Sequence, residues 1–313
     1  SASAHPKISA TYKLDRGDYT ITSITAIEQN EYDHWEDADG LPVPFVLFRQ
    51  KSDTDQFSQE IRLASDDDSN VRWIVGAYLF EETTEFSTAV PIALFDPAAS
   101  FSDNNLVDHD TSMISVFGKF DMDITEKLTL STGLRWIDEK KEGNAQYQFA
   151  VGLDSINVNN ADAFLFNNLV SFRDPGSYIN AAFSESWGLW GGEFGLEYTT
   201  DNGSLVYGRV ARGQKAGQFT GAPDAIANGG FFTPADEETV LSFEAGIKSE
   251  FMDRKLVTNL AIFMNEYDDQ QQQVTLPGPV STVVNVASSK TQGIEFDMQY
   301  APGNGWQADF ALG

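Results

Sequence analysis

Apolar and polar residues alternate along much of this chain with the two-residue period of a β-strand. In one segment Leu128, Leu130, Thr132, Leu134 and Trp136 alternate with Lys127, Thr129, Ser131, Gly133 and Arg135. The same alternation returns at residues 115–122, 193–198 and 294–300. Because successive side chains of a strand point to opposite faces, each segment is predicted to have one apolar face and one polar, charged face.

This pattern predicts twelve strands, in which β-branched and aromatic residues are frequent. They run near residues 7–14, 18–31, 55–65, 71–86, 110–123, 126–141, 187–199, 204–216, 237–251, 254–269, 283–301 and 305–313. Several are longer than the usual strand of about five or six residues in globular proteins. A tilted strand that crosses a bilayer needs about 9–11 residues, and these segments are long enough.

Short turns alternate with long polar connections between the predicted strands. The turns lie at residues 14–17, 66–70, 123–126, 201–203, 252–254 and 302–305, and the long connections near 32–54, 87–109, 142–186, 217–236 and 270–282. A transmembrane β-barrel has short turns on one side of the membrane and long loops on the other. The sequence therefore predicts an all-β antiparallel meander that crosses a bilayer repeatedly.

Composition narrows the possible functions. The net charge of −27 repels nucleic-acid phosphates, so we expect no nucleic-acid partner. The chain has no cysteine, and its three histidines fall at predicted strand starts or in loops. No nucleophile and base are therefore placed together, and we expect the protein not to be an enzyme.

A series of segments resembles TonB-dependent outer-membrane receptors. Residues 57–65 read FSQEIRLAS and residues 73–80 read WIVGAYLF, close to the FSQE-RLAS and W-VGAYYF signature of that family. Residues 128–136, 206–219 and 237–249 resemble later barrel strands, and residues 285–287 with 293–297 resemble the N-A…G-E-E element. Each segment alone is weak evidence for the family, but together the segments occur in the family's order and cover most of the chain.

The resemblance implies a barrel of about 22 strands around an N-terminal plug, located in the outer membrane. Residues 1–313 would be part of that barrel, without the plug and the closing strands, because residues 306–313 stop partway through a crossing. The implied function is active uptake of a scarce nutrient (a ferric siderophore, a vitamin or an oligosaccharide), energised by the TonB complex through the plug. Outer-membrane lipid and lipopolysaccharide are the implied surroundings. A structural or adhesive surface β-protein and a passive barrel pore are the alternatives.

Candidate substrate-binding residues are of two kinds. Aromatic residues in the predicted loops would contact sugar rings or apolar chelates, namely Trp35, Phe45, Phe101, Phe219, Phe231 and Phe232. Arg135 and Arg209 are basic positions within acidic strands. They would either guide an anionic substrate through the lumen or pair with carboxylates on neighbouring strands.

Two acidic segments are candidate metal sites. Asp37 and Asp39 lie in a loop whose alternating oxygen ligands and following glycine resemble part of a Ca²⁺ loop, although the complete pattern is missing. Asp108 and His109 stand where the chain enters a predicted strand, but neighbouring strand residues do not face one ion. Solvated acidic loops are the alternative for both segments. No cofactor is expected apart from Ca²⁺ at these loops.

Overall fold

A computed structural model describes residues 2–40, 46–66, 69–92, 101–151, 178–219, 234–276, 280–286 and 288–313. Across these ranges no helix is long and apolar enough to cross a membrane. The strands are β1 Ala2–Ala4, β2 Lys7–Asp15, β3 Tyr19–Asp37, β4 Leu47–Ser65, β5 Val71–Ile92, β6 Phe101–Asp123, β7 Leu128–Val151, β8 Tyr178–Thr199, β9 Leu205–Lys215, β10 Glu238–Phe251, β11 Leu256–Asp268, β12 Gln271–Leu276, β13 Val280–Asn285, β14 Ser289–Tyr300 and β15 Ala308–Leu312.

The main sheet has thirteen strands, and each pairs antiparallel with its neighbours. From β3 to β11 the order in the sheet is the order in the chain, and β14 and β15 follow β11. At the other edge β1 and β2 both pair with β3, while β12 and β13 form a separate two-stranded sheet. The predicted all-β antiparallel meander is confirmed.

The register lines up apolar side chains across the sheet into one face. Val116 pairs with Trp136, which pairs with Trp190, and Phe194 pairs with Val210. Leu134 is 62% exposed and Trp190 is 52% exposed although both are in the middle of the sheet. So much exposed apolar surface would be unfavourable in water. We call this side of the sheet the apolar face and the side that bears Lys119 and Arg135 the polar face.

The short turns lie where the sequence predicts them. Gly17 and Gly203 have φ of +88° and +81°, a region that glycine occupies without a Cβ clash. The Asp15 carboxylate accepts the Gly17 N–H at 2.7 Å and closes its turn. In the turn after β10 the three consecutive residues Met252, Asp253 and Arg254 all have positive φ, between 54° and 65°. Non-glycine residues are uncommon in this conformation, so this turn is held by the flanking pair of strands.

The predicted long loops near 32–54, 87–109 and 142–186 are wrong over most of their described residues. β3 continues to Asp37, β5 continues to Ile92, and β6 begins at Phe101, so strand pairing extends well beyond the alternating segments. In these extensions the alternation of apolar and polar residues is lost while the backbone hydrogen bonds between the strands continue. A predicted single strand at 283–301 is also wrong, because β13 and β14 are separate and β12 occupies the predicted loop at 270–282.

Candidate functional site

An ion-pair network crosses the polar face between β6 and β10. The Arg209 guanidinium in β9 lies 3.4 Å from a Glu244 carboxylate oxygen and 4.0 Å from a Glu193 oxygen. Lys119 in β6 lies 3.0 Å from the other Glu193 oxygen. The Tyr207 hydroxyl donates to Glu244 at 2.8 Å. Arg209 therefore pairs with carboxylates across strands, which was one of its two predicted roles.

Arg135 has a different environment on the same face. In the register it lies opposite Phe117 in β6 and Gly191 in β8, neither of which offers a carboxylate. Its side chain is exposed, and within the described part of the chain no acidic group lies within 4.0 Å of its guanidinium. Among the described residues Arg135 is therefore a cation without an acidic partner, on a face where Arg209 and Lys119 are already paired.

These side chains line one cleft of about 840 Å³. From the polar face it is bordered by Glu60, Tyr78, Lys119, Arg135, Glu193 and Arg209. Gly133 and Gly191 contribute no side chains, so Glu193 and Gln214 approach the sheet closely beside them. Cations outnumber carboxylates in this set, in a chain whose net charge is −27. The cleft is thus a local basic region that both predicted arginines share.

A second feature of the polar face is a clamp at the base of the connection that follows β9. We define the clamp as residues 216–219 and 234–236. Ala216 is buried with Trp187 and Leu189 of β8, and Phe219 packs against this cluster. The Phe219 ring centroid lies 4.6 Å from that of Phe183. The prediction that Phe219 is an exposed loop aromatic is therefore wrong, since the chain turns back over the sheet here and half-buries this ring.

Hydrogen bonds fix the clamp to the sheet and to the β12–β13 hairpin. The Lys141 ammonium in β7 donates to the Gly217 carbonyl at 2.8 Å. The Gln271 amide donates to the carbonyls of Ala216 and Asp236 at 2.9 and 2.8 Å. Asn285 both donates to the Asp236 carbonyl and accepts its N–H, at 3.0 and 2.7 Å. The hairpin therefore holds both ends of the connection at the sheet.

The other predicted aromatic residues are not brought together by the described structure. Trp35 is within β3, opposite Arg49, and is 52% exposed, so its assignment to a loop is wrong. Its strand is held by the neighbouring pair Asp33 and Arg49, joined by two hydrogen bonds of 2.8 and 2.6 Å. Phe101 is the first residue of β6. Three further predicted residues lie outside the described ranges: Phe45, Phe231 and Phe232.

The first acidic segment forms a hydrogen-bonded turn at the end of β3. An Asp37 carboxylate oxygen accepts the N–H groups of Asp39 and Gly40 at 3.2 and 3.4 Å. An Asp39 oxygen accepts the Val46 N–H at 2.5 Å. In the described ranges no group of three or more His, Asp or Glu side chains converges as a metal site would require. Ca²⁺ binding at Asp37 and Asp39 stays a prediction.

Asp108 and His109 lie inside β6, not at its beginning as predicted, because this strand starts at Phe101. As consecutive strand residues they point to opposite faces. His109 lies outside the alternating apolar part of β6 and packs against Phe183, with ring centroids 5.8 Å apart and the rings tilted by 38°. Burial, together with the nearby Lys141 charge, lowers the pKa of His109. The imidazole is therefore neutral at pH 7 and belongs to the surroundings of the clamp.

Sequence reasoning did not identify Glu193, Glu244, Trp187 or Lys141. Glu193 and Glu244 share the strand parity of the polar face, but only the register shows which arginine they reach. Lys141 and Gly217 are far apart in sequence and their contact depends on the fold of the connection. The only signal in the sequence was the alternation of side chains along each strand. This alternation predicts which face of the sheet a residue lies on, but not which residue it contacts there.

Comparison with known proteins agrees with this architecture. A family model described as TonB dependent receptor-like, beta-barrel matches residues 5–313. The ferric yersiniabactin uptake receptor FyuA from Yersinia pestis superposes with a TM-score of 0.75 at 18% identity, over 99% of this chain and 42% of that one. The siderophore receptor PiuA from Acinetobacter baumannii superposes with a TM-score of 0.60 at 18% identity, over 99% of this chain and 46% of that one. The open form of the ferric-catecholate import receptor Fiu from E. coli K12 superposes with a TM-score of 0.60 at 14% identity, over 99% of this chain and 46% of that one.

The chain spans less than half the length of these three structures. At these identities the superpositions establish the fold, and the family model establishes the kind of barrel. The sheet is therefore part of an outer-membrane β-barrel. Its apolar face contacts lipid and its polar face lines the lumen.

Proposed function

The chain belongs to the TonB-dependent receptors, within their β-barrel part, and we propose that its parent protein imports a scarce nutrient through the outer membrane with energy delivered by TonB. In this proposal residues 1–313 supply part of the barrel wall. The plug that engages the TonB complex and the remaining strands belong to the rest of the parent protein.

The proposed substrate is an anionic ferric siderophore. The observation that carries this choice is the exposed Arg135 guanidinium, without a carboxylate partner among the described residues, in a lumen-facing cleft beside Lys119 and Arg209. A guanidinium offers planar pairs of donors that match carboxylate or catecholate oxygens. FyuA, PiuA and Fiu, which share the fold, are receptors for ferric chelates or siderophores. A vitamin or a neutral oligosaccharide would gain little from this cation.

The test is uptake of radioactive iron by iron-starved cells that carry the full-length receptor as their only iron receptor. Two probes distinguish an effect of substrate charge on uptake from an effect of substrate size: a trianionic ferric tris-catecholate and a neutral ferric tris-hydroxamate. We expect TonB-dependent uptake of the catecholate, and an Arg135→Gln variant should lower it about tenfold at limiting substrate, because a charge-assisted hydrogen bond is lost. Arg135→Lys should retain part of the uptake.

Arg16→Gln is the matched control, since Arg16 is an exposed turn residue far from the cleft. Equal catecholate uptake by wild type and Arg135→Gln would refute the role of the cleft while leaving the receptor function intact. Uptake that persists in cells without TonB would instead support the passive-pore alternative. Receptor-dependent uptake of neither probe would refute the proposed siderophore substrate.

A further inference from the structure

The apolar face has a groove at Gly118, in a row of the sheet where two glycines flank a leucine. In the register Gly118 of β6 pairs with Leu134 of β7, and Leu134 pairs with Gly192 of β8. Because Gly118 has no side chain, a depression of about 470 Å³ remains on its side of Leu134, walled by Val75, Phe120 and Trp136 among others. On the other side, the Leu134 side chain covers Gly192, with its Cδ1 3.5 Å from where a Cβ of residue 192 would lie. The groove faces lipid, so it is shaped to take an apolar chain.

Arg212 continues the same row at the next strand, because Gly192 pairs with Arg212. Its guanidinium carbon lies 4.2 Å from the centroid of the Trp190 ring and its Nη1 donates to the Trp190 carbonyl. Trp190 in turn pairs with Trp136 at the wall of the groove. A cation is thus held by an aromatic ring on the face that contacts lipid.

Among the described residues Arg212 has no acidic partner. Over the described ranges no carboxylate lies within 4.0 Å of Arg212, whereas Arg72 and Arg49 each form a two-bond pair with an aspartate. An uncompensated charge on the lipid face is unfavourable near the midplane of the bilayer and tolerated near its surfaces.

Along its strand Arg212 lies in the loop-side part of the apolar band, about 7 Å from its edge. From Leu205, the first residue of β9, to Arg212 is a rise of about 24 Å along the strand, or about 18 Å of height at a tilt of about 40°. The apolar band of such barrels is about 25 Å tall, and an arginine side chain extends toward the nearer surface. β9 runs toward the long connections, so this surface is the one that lies on the loop side.

We propose that Arg212 and the groove at Gly118, which share one row of the sheet with Leu134 and Gly192 between them, form a binding site for a phosphate-bearing lipid of the outer leaflet. The lipid phosphate contacts the guanidinium in front of Trp190, and one acyl chain lies in the groove. Charge complementarity selects this occupant, since a neutral lipid would fill the groove without using the cation. The site rests on the membrane location of the barrel and is independent of the nutrient that the receptor imports.

The experiment counts lipids retained by the full-length receptor. The receptor is purified in a mild detergent, incubated with diphosphorylated lipid A or with the same lipid after removal of its phosphates, and examined by native mass spectrometry. We expect the wild type to retain the phosphorylated lipid about tenfold better than the dephosphorylated one. Arg212→Ala should lose this preference, and Arg212→Lys should keep part of it.

Two variants and one competitor complete the test. Arg16→Ala removes an exposed turn arginine and should retain lipid like the wild type. Gly118→Leu fills the groove and should lower retention of both lipids without touching the cation. Inorganic phosphate at millimolar concentration should not compete, because it lacks the acyl chain.

Heat-modifiable mobility on gels reports that each barrel is folded before lipids are counted. The proposal is overturned if folded Arg212→Ala retains phosphorylated lipid A like wild type, or if wild type retains both lipids equally. Should Arg212→Ala not fold, Arg212→Gln replaces it, and Gly118→Leu tests the groove independently. Retention by folded Gly118→Leu equal to that of the wild type would also contradict the proposed site.

Discussion

Replacing Gly217 by alanine should open the clamp that holds residues 216–219 and 234–236 over the polar face. A Cβ at Gly217 would overlap both the Ala235 carbonyl and the Trp187 ring. Neither group can move aside without breaking a contact, because Ala235 pairs with Gln218 and Trp187 is buried in the adjacent cluster. Alanine at this position therefore requires the two halves of the clamp to separate.

The expected magnitude follows from the cost of overpacking. Inserting a methyl group into a well-packed site costs about 1–3 kcal/mol. At about 1.4 kcal/mol per factor of ten, this raises the equilibrium constant for opening about 5- to 140-fold. The hydrogen bond from Lys141 to the Gly217 carbonyl and the contact between Phe219 and Phe183 would be lost in the same opening. The upper part of the range is therefore expected.

Hydrogen–deuterium exchange of the full-length receptor measures this opening directly. The Gln218 and Ala235 amides donate to each other's carbonyls, so both exchange only when the clamp opens. Gly217→Ala should raise the exchange rates of both amides by the same factor as the opening equilibrium, about 5- to 140-fold. Gly188→Ala is the matched control, because it adjoins Trp187 but a Cβ there meets nothing within 4 Å. Unchanged exchange in Gly217→Ala, or equal acceleration in Gly188→Ala, would refute the reasoning.

Two further substitutions test other contacts of the polar face. Asn285→Asp keeps an acceptor for the Asp236 N–H but replaces the NH₂ group that donates to the carbonyls of Asp236 and Asp269 by a carboxylate oxygen, which those carbonyls repel. The contact should therefore open more often, and the amide of Asp236 should exchange faster by a factor that corresponds to about 1–3 kcal/mol. Asn304→Asp is the control and should change nothing, because the Asn304 side chain only accepts a hydrogen bond. Glu244→Gln leaves Arg209 with one less carboxylate, so uptake of an anionic chelate should rise up to about fivefold, as expected for a partly exposed ion pair. A fall in uptake would contradict this reading of the cleft.

The part of the fold that the sequence predicts well is the part inside the bilayer. Between Leu128 and Trp136 every second side chain meets lipid, and the two-residue period is therefore strong. The turn at residues 201–203 is equally clear, because Gly203 has the positive φ that its residue type permits. In both cases the residues of the segment are enough to determine its conformation, without contacts from elsewhere in the chain.

The loop-side extensions could not be predicted in this way. In β6 the segment before Thr111 reads FSDNNLVDHD and has no alternation, yet it pairs with β5 and β7 along its whole length. Its strand conformation comes from backbone hydrogen bonds to neighbours, which do not depend on its own pattern. The clamp was also unpredictable, since Phe219 finds Phe183 and Trp187 only through the tertiary fold.

Arg209 and Arg212 show how strand parity decides the role of a residue. They are three positions apart in β9, so they lie on opposite faces. Arg209 contacts two carboxylates above the lumen, whereas Arg212 contacts the Trp190 ring on the lipid side. A slip of β9 by one residue would turn Arg209 toward lipid and away from Glu244 on β10, at about 2–4 kcal/mol for the arginine near the midplane. The same charges that form the cleft therefore also fix the register that places Arg212 in the loop-side part of the apolar band.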